Sequence, residues 1–138
     1  MPDGGRLIFL GVLGAPYESE LTTTLLRLVN EAIAQGHRVA VYTCGGATEL
    51  TLKTLGDKKP ANFLERGTSG QPTRYPTTAQ LIRELLEMAQ GRLQWYVCRP
   101  CMEERGALSQ IEGVIKHVPP KLRQLLGEAD VALLMGVK

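Results

Sequence analysis

The feature that most constrains the fold is the alternation of short apolar runs with segments of helical periodicity. Leu7–Leu13 is an unbroken apolar run, as expected for a central parallel strand covered on both faces. Residues 21–33 then carry leucine, valine and isoleucine at helical spacing, and Gly36 follows as a stop signal. No hairpin dipeptide occurs between the runs. The alternation predicts an α/β fold with a mostly parallel sheet and helices on both faces.

The other apolar runs raise the number of expected strands to five. Strands are predicted at residues 7–13, 39–42, 93–98, in a run that ends near 117–118, and at 131–135, with helices at 21–33, 48–55, 77–89, 100–106 and from 119–120 onward. Residues 57–76 are rich in Gly, Pro and Lys and have no period, which indicates a long loop or flap. With 43% hydrophobic content, residues 1–138 are expected to form a single domain.

Composition argues against two large classes of function. The net charge is +2, and the 16 basic and 14 acidic residues are interspersed, so nucleic-acid binding is not expected. The apolar run at residues 7–13 is too short to span a bilayer and lacks the features of a signal peptide, so no membrane insertion is expected. Three cysteines, an odd number, indicate a cytoplasmic protein with free thiols and not a disulfide scaffold.

The segment at residues 93–106 combines a strand with the start of a helix. Its first half is rich in β-formers, and Pro100 suits the first position of a helix. Cys98 is therefore expected at a strand end, and Cys101 in the first helical turn. Free backbone N–H groups at a helix start, together with the charge of Arg105, favour a thiolate over a thiol. We predict that Cys98 and Cys101 are the catalytic thiols.

Further polar and reactive residues follow the other predicted strands. Cys44 comes after the second strand, His117 ends the fourth, and Tyr17 and Glu18 follow the first. Because the carboxyl ends of parallel strands meet at one edge of the sheet, where ligands bind, these residues are expected near the two catalytic thiols. Arg105 completes the set of expected site neighbours.

Several short segments, in order and spacing, carry a resemblance that extends over nearly the whole chain. They are Gly14-Ala15-Pro16-Tyr17-Glu18-Ser19-Glu20, Gly36-His37-Arg38-Val39-Ala40-Val41-Tyr42, Cys98 seven residues before Arg105-Gly106, Ile111-Glu112-Gly113-Val114, and Glu128-Ala129-Asp130. Together they resemble the DsrE/DsrF-like sulfur-relay family. The resemblance implies a flavodoxin-like three-layer fold with a five-stranded, mostly parallel sheet flanked by helices. It also implies a homo-oligomer of small subunits, here expected to be a trimer or hexamer.

The same resemblance implies an activity. In the family a cysteine persulfide takes sulfane sulfur from a donor protein and passes it to an acceptor protein, without a cofactor. The position of the active cysteine corresponds to Cys98. This chain departs from the family pattern in having Pro100 and Cys101 after that cysteine, and the second thiol could attack the persulfide and release sulfide.

Three alternatives stay open from the sequence. The Cys98-x-x-Cys101 spacing also suits a dithiol oxidoreductase or a redox sensor. A zinc site formed by Cys44, Cys98, Cys101 and His117 is another possibility, although no second Cys-x-x-Cys motif is present. The chain could also be a scaffold subunit without an active thiol. Whether the protein is an enzyme, in the sense of a sulfurtransferase, is therefore left open at this point.

Overall fold

In a computed structural model the chain forms a five-stranded sheet with helices packed on it, and residues 5–16, 20–53, 59–60 and 75–136 are described. The elements, in chain order, are β1 (Leu7–Leu13), α1 (Leu21–Ala34), β2 (Arg38–Thr43), a 3₁₀ helix (Gly45–Thr51), α2 (Thr78–Ala89), β3 (Leu93–Cys98), α3 (Arg99–Arg105), β4 (Val114–His117), α4 (Pro120–Glu128) and β5 (Val131–Gly136). Every strand pair is parallel. The predicted α/β class, with a five-stranded sheet flanked by helices, is confirmed.

The order of the strands is β4-β3-β2-β1-β5. The sheet grows in one direction from β1 to β4, and β5 then returns to the other side of β1. This differs from the order 2-1-3-4-5 of flavodoxin itself. Because all pairs are parallel, the carboxyl ends of the strands still lie at one edge. The segments that follow β1, β2 and β3 therefore meet there.

The two faces of the sheet carry separate hydrophobic clusters. On one face α1, α2 and the 3₁₀ helix cover side chains such as Leu10, Val41 and Trp95, all of which are almost completely buried. On the other face Leu125 of α4 packs in a smaller cluster that includes Phe9 and the inward-facing residues of β2 and β3. Each large apolar side chain buried in this way contributes roughly 1.5–3 kcal/mol. These contacts hold the carboxyl edge of the sheet in place.

Sequence signals at the helix ends agree with the structure. The Thr77 hydroxyl accepts from the Gln80 backbone N–H, and the Gln80 side chain accepts from the Thr77 N–H, which completes the capping box expected at the start of α2. Gly106 ends α3 in the left-handed region, with φ +67°. The predicted helix at 119–120 onward is α4. These signals act within one or two turns of chain, so the sequence alone reveals them.

The helix predicted at residues 48–55 is placed differently. The structure has a tighter 3₁₀ helix at Gly45–Thr51, directly after β2. Gly45, at φ +61°, allows this immediate turn, and Leu52 returns to an extended conformation to bridge Gln110. Residues 54–58 and 61–74, which include most of the predicted flap at 57–76, lie outside the described residues.

Of the helices in the described part of the chain, none has the length and apolar character needed to cross a bilayer.

The sheet itself ends in an apolar edge. Among the strands of the described residues, β5 pairs with β1 alone, and most of its residues are exposed. Leu134, at 67% exposure, is more accessible than Val131 and Leu133 of the same strand. An edge strand with this composition is unusual on the surface of an isolated domain.

Candidate thiol site

Two of the three cysteines are brought together by the register of β2 and β3. Tyr42 pairs with Tyr96 and Thr43 with Val97, so the next residues along the two strands are Cys44 and Cys98. Neighbouring strands lie about 4.7–4.9 Å apart, which places these two cysteines side by side at the carboxyl edge. Cys98 is only 3% exposed, whereas Cys44 is half-buried.

The third cysteine reaches the same place through α3. Cys98 is the N-cap residue of this helix, Pro100 lies in its first turn as predicted, and Cys101 follows one turn after Cys98. The Sγ atoms of Cys44, Cys98 and Cys101 all lie within 4.8 Å of one another. No disulfide joins them in this structure, where all three are free thiols. The sheet edge predicted from the sequence thus brings together one cysteine from β2 and two from the β3–α3 junction.

A buried polar network holds the chain segments that carry these thiols. The side-chain amide of Gln110 donates to the carbonyl oxygens of Thr48 (3.1 Å) and Ala107 (2.9 Å). The Thr51 hydroxyl donates to the Gln110 carbonyl oxygen. The network therefore fastens the 3₁₀ helix after Cys44 to the loop that follows α3. Because buried polar groups are costly when unpaired, it fixes the relative position of the two segments.

Two glycines allow the loops at this edge to come close. The backbone of Gly45 lowers the pKa of the Cys101 thiol and so favours the thiolate. A Cβ on Gly46 would lie 3.0 Å from the carbonyl oxygen of Gly14, at the end of β1. The two glycines therefore serve the approach of the protein's own backbone segments to one another.

Burial and mutual repulsion weaken the acidity of two of the thiols. Burial, followed by the charges of Cys98 and Cys101, raises the pKa of the Cys44 thiol to about 12. Burial also raises the pKa of Cys101, and this outweighs the lowering by the Gly45 backbone and Arg105. The prediction that the helix start makes Cys101 more acidic than an ordinary thiol is therefore wrong. Gly45 and Arg105 do lower the pKa of Cys101, but desolvation raises it by more.

Arg105 lies beside the thiol cluster at the end of α3. Its guanidinium Nη1 is 2.5 Å from a carboxylate oxygen of Glu104 and 3.5 Å from the carbonyl oxygen of Cys101. A Cβ on Gly45 would be 3.8 Å from Nη2 of the same side chain. The positive charge is therefore close enough to lower the pKa of Cys101, while Glu104 offsets part of it.

Tyr42 is a neighbour of the thiol cluster that the sequence analysis did not single out. Its hydroxyl donates to the carbonyl oxygen of His117 (3.3 Å) and interacts with Cys98. Burial, followed by the neighbouring thiol of Cys98, raises the pKa of Tyr42 well above its ordinary value. A signal was present in the sequence. Tyr42 stands two residues before Cys44, so both side chains point to the same face of β2.

The remaining predicted neighbours differ in position. His117 lies next to the aromatic side chains of this face: its ring meets Tyr96 edge-on at 6.4 Å, and its Nδ1 accepts from the backbone N–H of Val118 (2.9 Å). It is not part of the group of metal-ligating atoms formed by the three cysteines. Tyr17 and Glu18 fall outside the described residues.

Comparisons with known proteins agree with this architecture. The crystal structure of the YchN protein from E. coli superposes with a TM-score of 0.70 over 94% of this chain and 99% of that chain, at 22% sequence identity, and so shows the same fold. No curated protein matches the chain. The family model of the DsrE/DsrF-like family matches residues 7–133, which span all five strands up to the middle of β5. By this match, the chain belongs to the DsrE/DsrF-like family.

Proposed function

We propose that this protein is a cytoplasmic sulfur-relay protein that carries sulfane sulfur as a persulfide on Cys98, with Cys101 as a resolving thiol. Family membership supports a role in sulfur relay. The observation that carries the proposal is the cluster of three thiols within 4.8 Å at the carboxyl edge of the sheet. Ligands of parallel α/β sheets bind at that edge.

Loading requires one thiol and a donor persulfide. The Cys98 sulfur attacks the outer sulfur of the donor R–S–SH, a new S–S bond forms, and the S–S bond of the donor breaks. The donor leaves as a thiolate and takes up the proton that Cys98 loses. The product is a persulfide on Cys98, and no external oxidant or reductant is consumed. In this sense the protein would act as a sulfurtransferase.

Two routes of release are compatible with the geometry. In the first, a thiolate of an acceptor protein attacks the outer sulfur, and Cys98 returns to the thiol. In the second, Cys101 attacks the inner sulfur, a Cys98–Cys101 disulfide forms, and hydrosulfide leaves. The second route then needs an external dithiol to reduce the disulfide. The short distance between the two sulfur atoms makes this internal reaction available.

The different exposure of the thiols affects how partners gain access. Cys98 is almost fully buried, whereas Cys44 and Cys101 are half-buried. A donor or acceptor protein therefore approaches from the side of Cys44 and Cys101, and direct transfer requires α3 or the 3₁₀ helix to shift locally. The same burial would shield a persulfide on Cys98 from solvent between the two transfers.

A dithiol oxidoreductase or redox sensor is the second candidate function. It is favoured by the same closeness of Cys98 and Cys101, since a dithiol that closes to a disulfide needs no sulfur cargo. The two functions differ in their products. Sulfur loading adds the mass of one sulfur atom, while disulfide formation removes two hydrogen atoms.

We also propose that the protein works as a homo-oligomer, a trimer or hexamer, in which a second copy covers β5. The support is the apolar edge: Leu133 and Leu134 are 42% and 67% exposed, and Leu13 of the neighbouring strand is exposed beside them. A monomer would leave this strip and the free edge of β5 in water, which favours association.

The experiment that tests sulfur transfer is intact-protein mass spectrometry after incubation of the reduced, chelator-treated protein with a sulfane-sulfur donor. Wild type should gain one sulfur atom. Cys98→Ser should not gain it, and Cys101→Ser should retain it for longer because the resolving thiol is absent. Cys44→Ser is the matched control and should load normally. Normal loading of Cys98→Ser would show that Cys98 is not the carrier.

A further inference from the structure

One thiol of the cluster has no task in the proposed sulfur chemistry. A persulfide carrier needs one thiol, and internal release needs two, for which Cys98 and Cys101 suffice. Cys44 nevertheless lies within 4.8 Å of both, and its segment is tied in place by the Gln110 network. A persulfide uses one cysteine sulfur and a disulfide uses two, so neither explains why three sulfur atoms converge.

We propose that Cys44, Cys98 and Cys101 together bind a thiophilic d¹⁰ metal ion, zinc(II) or copper(I), in a three-sulfur site whose fourth position is open. Thiolate sulfur is the donor that both ions prefer among protein side chains. The site goes beyond sulfur relay, because it uses all three thiols at once and needs no sulfur donor.

The distances between the sulfur atoms fit such an ion after a small contraction. A zinc–sulfur bond of about 2.3 Å in a tetrahedral site places two ligand sulfurs about 3.8 Å apart. The three Sγ atoms are within 4.8 Å of one another, so each separation has to shrink by about 1 Å at most. Rotations of the cysteine side chains accomplish this without a change in the strands, because the backbone positions are already adjacent.

The backbone organises these ligands before any ion arrives. Cys44 and Cys98 follow paired residues of β2 and β3, and Cys101 is brought over them by the first turn of α3. The Gln110 network fastens the segment that follows Cys44 to the loop that follows α3, and so supports the ligand-bearing segments from outside the ligand set. Two of the three ligands thus come from the most regular part of the fold.

Charge around the cluster also suits a bound cation. Three thiolates and one zinc(II) leave a net charge of −1, and the guanidinium of Arg105 lies beside Cys101 and Gly45. In the absence of a cation, three thiolates so close together repel one another, and burial removes the water that would screen them. An ion or protons must therefore neutralise the cluster.

The fourth position is not filled by a protein group in the described residues. His117, the fourth ligand considered from the sequence, lies against Tyr96, and its Nδ1 accepts from the Val118 N–H. Structural zinc sites have four protein ligands, whereas three-ligand sites leave room for water or another small ligand. The half-buried Cys44 and Cys101 mark the side of the cluster from which such a ligand enters. An ion here would also compete with sulfur loading, because it occupies Cys98.

The test is a metal titration of the reduced protein with no sulfur donor present. Zinc(II) alone is added in competition with a chromophoric chelator, and copper(I) is added anaerobically in a parallel series. We expect one ion per chain. Each of Cys44→Ser, Cys98→Ser and Cys101→Ser should weaken binding by more than the roughly 10- to 100-fold caused by loss of an outer-sphere partner. His117→Ala is the matched control and should bind as wild type does.

The possible outcomes separate clearly. Tighter binding of one ion than of the other in the two series identifies which ion the site prefers. Failure to bind either ion, or binding that survives Cys44→Ser, would overturn the proposal, and a loss in His117→Ala would overturn the open fourth position. Circular dichroism of each variant excludes misfolding, and Cys44→Ala provides a second variant if the serine is destabilising. Sulfur loading is measured in a separate experiment with a chelator present. The result of the metal titration therefore does not change how the sulfur-loading result is interpreted.

Discussion

Replacing Cys98 and Cys101 together should make the remaining thiol, Cys44, more reactive than it is in the wild-type protein. The pKa of Cys44 is raised to about 12 by burial first and then by the charges and hydrogen bonds of the other two cysteines. The variant Cys98→Ala, Cys101→Ala eliminates every one of these causes except burial. The pKa of Cys44 should therefore fall, while staying above the ordinary value of 9.0.

The size of the effect follows from the titration curve. At pH 8 a thiol with a pKa of about 12 is ionised to about 1 part in 10,000, and one with the ordinary value to about 1 part in 10. Each tenfold change in the acid dissociation constant multiplies the thiolate fraction about 10-fold, up to the roughly 1,000-fold that separates a pKa of about 12 from one of 9.0. The thiolate is the species that reacts with iodoacetamide, but its intrinsic nucleophilicity falls as its pKa falls. Alkylation of Cys44 should therefore accelerate by about the square root of that factor.

The assay is the rate of Cys44 alkylation between pH 7 and pH 10, followed by peptide mass spectrometry in the presence of a chelator. The pH dependence within each variant separates ionisation from steric access, because access does not change with pH. Tyr42→Phe serves as a control that leaves the three thiols intact. If Cys44 in wild type reacts as fast as in the double variant at every pH, the neighbouring thiols do not govern its acidity, and the reasoning is refuted.

Three further predictions concern assembly and stability. Leu134→Lys should reduce the mass measured by light scattering to that of a monomer, whereas Leu108→Lys, at an exposed leucine outside β5, should leave the oligomer intact. Gln110→Leu should lower the free energy of unfolding by about 2–4 kcal/mol in urea titrations, because the buried carbonyls of the Gln110 network lose their donors. The raised pKa of Cys44 favours the protonated folded state, so its contribution to stability is complete below pH 9.0 and is lost as the pH rises towards about 12. Thermal unfolding should therefore shift to lower temperature across that range, and less so in Cys44→Ser.

Much of the fold was predictable because its signals are local. Apolar runs of strand length indicate strands, and the structure has all five predicted strands, paired in parallel. Pro100 and Gly106 mark the two ends of α3, and the strand end at Cys98 follows from the β-formers before it. The tight 3₁₀ helix after β2 was misplaced, because its limits depend on the bridge from Leu52 to Gln110, more than fifty residues away in sequence.

The sequence predicted which cysteines lie at the candidate site, but it did not predict the contacts that the neighbouring side chains make. Parallel strands end at a common edge, so the sequence correctly indicated that Cys44 belongs near Cys98 and Cys101. Tyr42 was missed, although its spacing from Cys44 places both on one face of β2. His117 ends a strand at the same edge, but its ring lies beside Tyr96. His117 is the register partner of Cys98 and so shares its face, but which neighbour a strand-end side chain contacts there cannot be read from its position in the sequence alone.

The sequence by itself determined the alternation of strands and helices, the family, and the residues that reach the carboxyl edge, because patterning, capping and turn signals act between near neighbours in the chain. Only the tertiary structure decided that three sulfur atoms converge, that Cys44 and Cys101 are weaker acids than ordinary thiols, and that β5 is left as an exposed apolar edge. A helix start favours a thiolate, but burial opposes it, and burial is set by packing among segments distant in sequence. Acidity and exposure are properties of the packed molecule, so they depend on contacts that no local pattern specifies.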